Sequence, residues 1–353
     1  MPSVEEIKRM MKPAEKREES KLLLSSGSSM LNLACSGDIR GAFRAGYYCF
    51  VIGDSQSGKT WIAVNTLAEA ANDPRFREYR LIYDPTEHGA LMNLRKFFGS
   101  KLVERIEVMD PPSDTAEEFY YNLDDTLKGD RPCIYVLDSQ DGLSDNAEQT
   151  KFEEVKAASR KGKQTTGSYN VSKPKVHSAN IRQFIRPLRS TGSILMVLNQ
   201  TRDSFDPFKP KSYSGGRALW FYATMQLTSS VKNHIMKDVH GKKRELGVVV
   251  KAVVKKSRET GRVRSVDVPI LHSYGIDDVG SCVDYLVDEN TWTKSKTGFV
   301  EAVGLGPMVK KRRDDLIRKI EEDDLVDDLR LLVQKTWDEV EQACEVSRKK
   351  RYE

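Results

Sequence analysis

Long apolar runs are missing from this chain. No stretch of its 353 residues approaches the roughly 18 uninterrupted apolar residues that a membrane-spanning helix needs, which excludes that class. The N-terminal stretch "MPSVEEIKRMMKPAEKREESK" is charged from the start and has no apolar signal region, so the expected location is the cytoplasm. Cysteine is sparse: Cys35, Cys49, Cys133, Cys282 and Cys344 lie far apart with no CxxC pair. That spacing argues against a disulfide framework or a zinc site and for reduced, buried thiols. His88, His177, His234, His240 and His272 show no metal-ligand spacing either. Neither sign of charge dominates. The net charge of +5 says little by itself, and its distribution says more.

What is present is alternation. Apolar, β-rich runs occur at "YYCFVI" (47–52), "RLIYD" (80–84), "VERIEVM" (103–109), "CIYVLD" (133–138), "SILMVLN" (193–199), "ATMQLTSS" (223–230) and "GVVVKAVVKK" (247–256). Helical patterns fall between several of them, as in "KTWIAVNTLAEAAN" and "HSANIRQFIRPLRS". Strands alternating with helices predict an α/β fold, with a mostly parallel sheet flanked by helices on both faces. The last runs lack intervening helices and read as antiparallel strands added at one edge.

Three regions are expected. Residues 1–30 form an N-terminal arm ending in "KLLLSSGSS". It reads either as a flexible leader or as an oligomerisation segment whose Leu22, Leu23 and Leu24 dock on a neighbouring subunit. Residues 31–300 form the core. Residues 301–353 form a helical C-terminal region, with apolar positions Leu316, Ile320, Leu325, Leu329, Leu332 and Val333 recurring every three or four residues.

The stretch "VIGDSQSGKT" (51–60) follows the first strong apolar run. Its spacing, Gly53-x-x-x-x-Gly58-Lys59-Thr60, matches the P-loop pattern in full. Glycines let the backbone wrap so that the amides of Asp54, Ser55, Gln56 and Ser57 can turn toward phosphates. A helix starting at the loop adds its N-terminal partial charge. Lys59 reaches the β- and γ-phosphates, and Thr60 offers a hydroxyl to Mg²⁺. The bland alternative is an ordinary strand-to-helix turn. Asp138, ending "CIYVLD", is the expected acidic partner for Mg²⁺, or else an N-cap. Hydrolysis also needs a group that orients water. Glu87 and Asp84, at the end of "LIYDPTEHG", are the candidates, with Glu87 preferred.

Further residues extend the pattern. Gln200 follows an apolar strand, where a neutral amide can hydrogen-bond a phosphate oxygen; a structural glutamine is the alternative. Lys256 and Arg258 alternate along or beyond a strand, so they point to one face. There they can supply the charge that an arginine finger supplies, or form a solvated patch. Two segments beyond strand ends suit nucleic acid. "SRKGKQTTGSYNVSKPKV" (159–176) carries Arg160, Lys161, Lys163, Lys173 and Lys175, with Tyr169 and no acidic residue. "TRDSFDPFKPKSYSGGR" (201–217) carries Arg202, Lys209, Lys211 and Arg217 among Phe205, Phe208 and Tyr213. Cations can neutralise phosphates while aromatics stack on bases. Solvated loops are the alternative for both.

Together these stretches resemble the RecA family of recombinases, most closely its phage, UvsX-like branch. The match is carried by "MLNLACSGDIRGAFRAGYYCFVIGDSQSGKT" (30–60), "YDPTEHG" (83–89), "VLNQTRD" (197–203), "SGGRALWFYAT" (214–224) and "KKSRETGR" (255–262). "YDPTEHG" is similar to the family's Asp-x-Glu segment but has one extra residue between Asp84 and Glu87. The resemblance covers roughly residues 30–280. It implies a RecA-like P-loop core that uses ATP and Mg²⁺. It also implies a DNA-dependent ATPase that polymerises on single-stranded DNA and exchanges strands with a homologous duplex. In this family Glu87 would activate water, and Gln200 would relay the γ-phosphate to the DNA-binding loop. Lys256 and Arg258 would reach the nucleotide of the neighbouring subunit. A RecA-like hexameric motor, of helicase or packaging type, shares the P-loop, Asp138 and Glu87 and is the alternative. A non-enzymatic binding module, in which Glu87 activates no water, is a third reading.

Overall fold

The computed structural model describes residues 22–87, 94–160, 172–203, 211–213 and 215–348. Two short strands, β1 (Leu23–Leu24) and β2 (Phe43–Arg44), pair antiparallel. The main sheet contains β3 (Tyr48–Gly53), β4 (Arg80–Asp84), β5 (Ile106–Val108), β6 (Cys133–Leu137), β7 (Ile194–Asp203), β8 (Lys211–Tyr213), β9 (Met225–Val239), β10 (Lys242–Ser257), β11 (Arg264–Leu271) and β12 (Gly275–Ile276). Its order is β12-β11-β10-β9-β3-β7-β6-β4-β5, with β8 paired to β7. The run from β9 to β5 is parallel throughout. The edge from β10 to β12 is antiparallel. The fold is therefore α/β, with helices on both faces and the antiparallel strands at one side.

Side-chain alternation explains the two layers. In β3, Cys49 and Val51 enter one buried cluster, and Tyr48, Phe50 and Ile52 enter the other. β6 divides the same way, with Ile134 and Val136 on one face and Cys133, Tyr135 and Leu137 on the other. A period of two with both faces apolar is the mark of a parallel strand covered on both sides. The helix Lys59–Asn72 covers one face; Ala116–Leu127 and Ser172–Thr191 cover the second. Ala116–Leu127 starts at a capping box, Thr115 and Glu118, that its sequence spells out.

Several elements differ from the sequence reading. β7 does not stop at Asn199 but continues to Asp203 and folds back on β8, so Gln200 lies within a strand. β9 and β10 are much longer than expected, because their mixed polar sequence pairs as a two-stranded ribbon beyond the sheet. The segment before β5 is helical over Ser100–Val103. The basic stretch 159–176 is helical at both ends: Arg160 closes the helix Asn146–Arg160, and Lys173 and Lys175 belong to Ser172–Thr191.

The expected boundaries at 30/31 and 300/301 both fall within packed structure. Leu23 and Leu24 are buried in the chain's own core. A three-stranded sheet, β13 (Thr293–Lys294), β14 (Phe299–Ala302) and β15 (Val309–Arg312), spans the second boundary. Helices Arg313–Glu322 and Val326–Ala343 follow it. Leu316, Ile320, Leu329, Leu332 and Val333 are buried in the same cluster as the helix Ser29–Ser36, and Leu325 packs against it. Gln334 accepts from the Ile39 amide at 2.8 Å. Asp278 holds both the Ser29 amide, at 2.6 Å, and the Arg330 guanidinium, at 3.0 Å. Among the described residues no helix is long and apolar enough to cross a membrane.

Truncating a fully buried leucine costs about 2–5 kcal/mol. Leu329→Ala is accordingly expected to lower the unfolding midpoint of the whole chain in urea, as one transition. A separate early transition, with the main one unmoved, would show that the C-terminal helices unfold independently.

Candidate nucleotide site and nucleic-acid-facing segments

In a parallel sheet the carboxyl ends of the strands share one edge, and ligands bind outside it. Here Gly53 of β3 pairs with Gln200 of β7 and with Ser229 of β9, while Leu137 pairs with Asp84. The glycine loop, Asp84, Glu87, Asp138 and Gln200 therefore all lie at one edge.

The loop is built around close approach. A Cβ at Gly53 would stand 2.3 Å from Ser229 Oγ and 2.4 Å from Ser57 Oγ. Gly58 has φ +80°, and a Cβ there would meet Ile270 Cδ1 at 2.8 Å. Ser57 and Ser229 hydroxyls bond at 2.8 Å, fixing the loop to β9. The helix Lys59–Asn72 starts directly at Gly58. Lys59 is buried and donates to the loop's own carbonyls, Gly53 O at 2.9 Å and Asp54 O at 2.7 Å. Burial lowers its pKa, against the opposing pull of Asp138, Glu87, Asp141 and Asp54. Thr201 donates to Asp54, tying the loop to β7. Gln56 to Trp61 line a cavity of about 320 Å³ together with His234, Glu245, Ile270 and His272.

Three carboxylates at this edge have different surroundings. Asp138 Oδ2 accepts from Thr60 Oγ1 and from Tyr83 OH, each at 2.9 Å. Burial pushes its pKa up, and the two hydroxyl donors oppose that. Asp84 is fully buried; it accepts from the Ser113 amide at 3.0 Å, Ser113 Oγ at 2.6 Å and Tyr135 OH at 2.8 Å. A carboxylate so engaged is a structural anchor and stands away from water. Glu87 is exposed instead. It accepts from Ser139 Oγ at 2.5 Å and from Gln200 Nε2 at 2.8 and 3.1 Å. The Gln200 amide N–H donates to Asp141 Oδ2 at 2.5 Å. Sequence reasoning passed over Tyr83, Ser139, Asp141 and Thr201. Tyr83, Ser139 and Thr201 each adjoin a chosen residue, which was the available signal, and Asp141 lies three residues beyond Asp138.

The residues fit a Mg²⁺–nucleotide. Thr60 and Asp138 present hard oxygen donors 2.9 Å apart, beside a buried ammonium and a loop closed to Cβ atoms.

Lys256 and Arg258 lie elsewhere. Lys256 pairs with Gln226 and Ser257 with Met225, while Met225 pairs with Cys49 near the start of β3. Met225 and Ser229 are four residues apart, so this end of the sheet is about 13 Å from the glycine loop at strand rise. The Lys256 ammonium donates to Phe221 O at 2.9 Å and stands 6.0 Å from the centre of the exposed Phe221 ring. Burial lowers its pKa, helped by Arg258.

Of the basic segments, Arg160, Lys175 and Arg217 are exposed, the last opening the helix Arg217–Tyr222. Lys173 is turned inward and donates to Leu143 O. Arg202 and Lys211 lie on β7 and β8, Arg202 opposite Ser212 and Asp203 opposite Lys211. Lys161, Lys163, Tyr169, Phe205, Phe208 and Lys209 lie outside the described residues.

A strand–loop–helix phosphate cradle with an acidic partner on a nearby parallel strand defines a P-loop nucleotide-binding protein. Residues 7–277 match the RecA N-terminal domain family, and the chain belongs to that family. It is similar to Protein RecA of Enterococcus faecalis, at 25% identity over 305 residues, covering 84% of this chain and 79% of that one. Protein RecA of Trichodesmium erythraeum is 26% identical over 286 residues, 80% of this chain and 71% of the relative. Protein RecA of Corynebacterium urealyticum is 25% identical over 300 residues, 83% and 73% respectively.

The two acidic candidates separate by experiment. Asp84→Asn leaves buried donors mismatched and is expected to lower stability by about 1–3 kcal/mol in chemical denaturation. Glu87→Gln is expected to leave stability and nucleotide affinity near wild type and to cut ATP turnover about 10²–10⁴-fold. Surviving turnover in Glu87→Gln would move the role to another group.

Proposed function

We propose that this protein is an ATP-dependent recombinase that forms filaments on single-stranded DNA and pairs it with a homologous duplex. Family membership supports the activity class, with ATP and Mg²⁺ as cofactors. The observation that carries the assembly is the separation of Lys256 and Arg258 from the chain's own glycine loop. That separation supports a role toward a nucleotide held by another subunit rather than toward the chain's own. A subunit alone then hydrolyses poorly, and assembly completes the site.

In this reading the Gly53–Thr60 loop and Lys59 hold the phosphates, while Thr60 and Asp138 hold Mg²⁺. When bound, Mg²⁺ neutralises charge on the phosphate oxygens. Glu87 orients the attacking water and accepts its proton. The Gln200 side-chain amide donates to Glu87, and a γ-phosphate oxygen would compete with Glu87 for it. Because Gln200 lies in β7, which runs directly into the β7–β8 hairpin, that choice bears on the second basic segment. Arg160, Lys161, Lys163, Lys175, Arg202, Lys209, Lys211 and Arg217 supply charge to the DNA backbone, and Phe205 and Phe208 supply stacking surface. Lys173 contributes by holding the segment's end in place.

The division into arm (1–30), ATPase core (31–300) and helical C-terminal region (301–353) belongs to this reading, with both boundaries embedded in packed structure. So does placement in the phage, UvsX-like branch, which rests on the resemblance of its motifs. The site of action would be the cytoplasm, that of a bacterial host for a phage-borne gene.

Negative-stain microscopy with single-stranded DNA and a non-hydrolysable ATP analogue is expected to show continuous helical filaments. Closed rings of fixed size would instead establish the motor reading. Lys256→Ala is expected to reduce DNA-stimulated hydrolysis by about 10³-fold while sparing nucleotide binding by the isolated subunit. Unchanged stimulated hydrolysis would remove the role in trans.

A further inference from the structure

One short segment, Asp138–Asp145, touches every part of the nucleotide edge. Asp138 holds Thr60, Ser139 donates to Glu87 at 2.5 Å, and Asp141 accepts from the Gln200 amide at 2.5 Å. The other side of the same segment meets both basic regions. Leu143 O accepts from Lys173, and Asp145 Oδ2 accepts from Ser172 Oγ at 2.6 Å. Ser172 and Lys173 open the helix Ser172–Thr191, which contains the end of the first basic segment. Gln140 lies under Gly215, at the end of the second: a Cβ there would stand 2.9 Å from its amide. Gly216 in turn sits against Pro174, 3.0 Å from where its Cβ would be.

The centre of this arrangement is polar and dry. Gln140 and His177 are both fully buried. Gln140 Nε2 lies 3.1 Å from His177 Nε2, and His177 Nδ1 lies 3.0 Å from Tyr120 OH. A neutral imidazole has one acceptor and one donor nitrogen, so it accepts from the amide and bonds the phenol at the same time. Burial, with the Lys173 ammonium nearby and Asp145 opposing, pushes the His177 pKa down to about 3, which keeps it neutral. The hydrophobic face of Ser172–Thr191 needs no histidine at this position; a leucine would fill it. Buried polar groups that are fully paired hold their neighbours in one arrangement.

We propose that the Gln140–His177 pair is a positioning relay. It couples the Ser139–Asp141 stretch, which holds Glu87 and Gln200, to the helix start at Ser172 and to Gly215, which border the two DNA-facing segments. Gln200 then connects to one segment directly through β7, and His177 connects the same edge to both. Coupling of this kind is reciprocal: nucleotide binding favours one placement of the segment borders, and DNA favours the matching placement of the catalytic edge. The inference rests on the recombinase reading.

The test uses the full-length protein. ATP hydrolysis is measured with and without oligo-deoxythymidine over a range of concentrations, together with affinity for a fluorescent ATP analogue in the absence of DNA. His177→Phe keeps the volume but removes the imidazole contacts to the Gln140 amide and the Tyr120 hydroxyl. It is expected to keep DNA-free turnover and analogue affinity within twofold of wild type. Stimulation by DNA should fall at least tenfold, and the DNA concentration for half-stimulation should rise at least fivefold. His177→Gln, which can accept from Gln140 and donate to Tyr120, should recover at least half of the stimulation. Stimulation retained by His177→Phe, or loss of basal and stimulated turnover together in a folded variant, would overturn the relay. Where His177→Phe fails to fold, Tyr120→Phe carries the test, since it removes one oxygen and keeps the ring stacked on Phe184. A threefold or greater loss of stimulation at constant basal turnover supports the relay; unchanged stimulation overturns it. Wild-type turnover indifferent to DNA overturns the recombinase reading itself, an outcome distinct from wild-type stimulation that His177→Phe preserves.

Discussion

The parallel pairing of β3 with β7 is the constraint on which the rest depends. It sets Gly53 level with Gln200, and through β6 and β4 it aligns Asp138 and Glu87 along the same edge. Were any of these strands reversed, its functional residue would move to the far end of the sheet. The alignment follows from apolar alternation on both strand faces, since only helices on both sides can bury such strands. Chemistry at the edge is thus a by-product of how the core is covered.

Much of this was legible in the sequence. The glycine loop announced itself by spacing, and Asp138 by its position at the end of an unbroken apolar run. The preference for Glu87 over Asp84 rested on position alone, Asp84 ending β4 and Glu87 lying just beyond it. What was not legible is the burial of Asp84, whose oxygens are filled by Ser113 and Tyr135, 29 and 51 residues away in sequence. The long β9–β10 ribbon was read short for a related reason. Its outer half is exposed and polar, so it carries no alternation to detect. The strands β13 to β15 were missed because each is only two to four residues long.

The polar interior opposite the glycine loop shows where sequence reasoning stops. His177 and Gln140 look unremarkable in the chain, a lone histidine in a helical pattern and a glutamine after a strand. Their meaning comes from burial and mutual distance. Lys173 shows the converse. Its basic neighbourhood suggested contact with phosphate, yet its ammonium is held by a main-chain carbonyl. Composition describes what a segment can attract, and the fold decides which groups remain free to do so.

The placement of Lys256 and Arg258 at the far end of the sheet has a consequence for polarity. In the proposed assembly each subunit gives its basic pair to one neighbour and receives a pair from the other. Such a contact joins two different surfaces, so the polymer has a direction and grows open-ended unless its rotation closes a ring. Its two ends are chemically unlike. One terminal subunit carries a cradle that no neighbour completes, and the other carries a basic pair with no nucleotide to serve. In that proposed assembly turnover at the first of these ends stays slow while the interior hydrolyses, so the two ends differ in nucleotide state as well as in exposed surface.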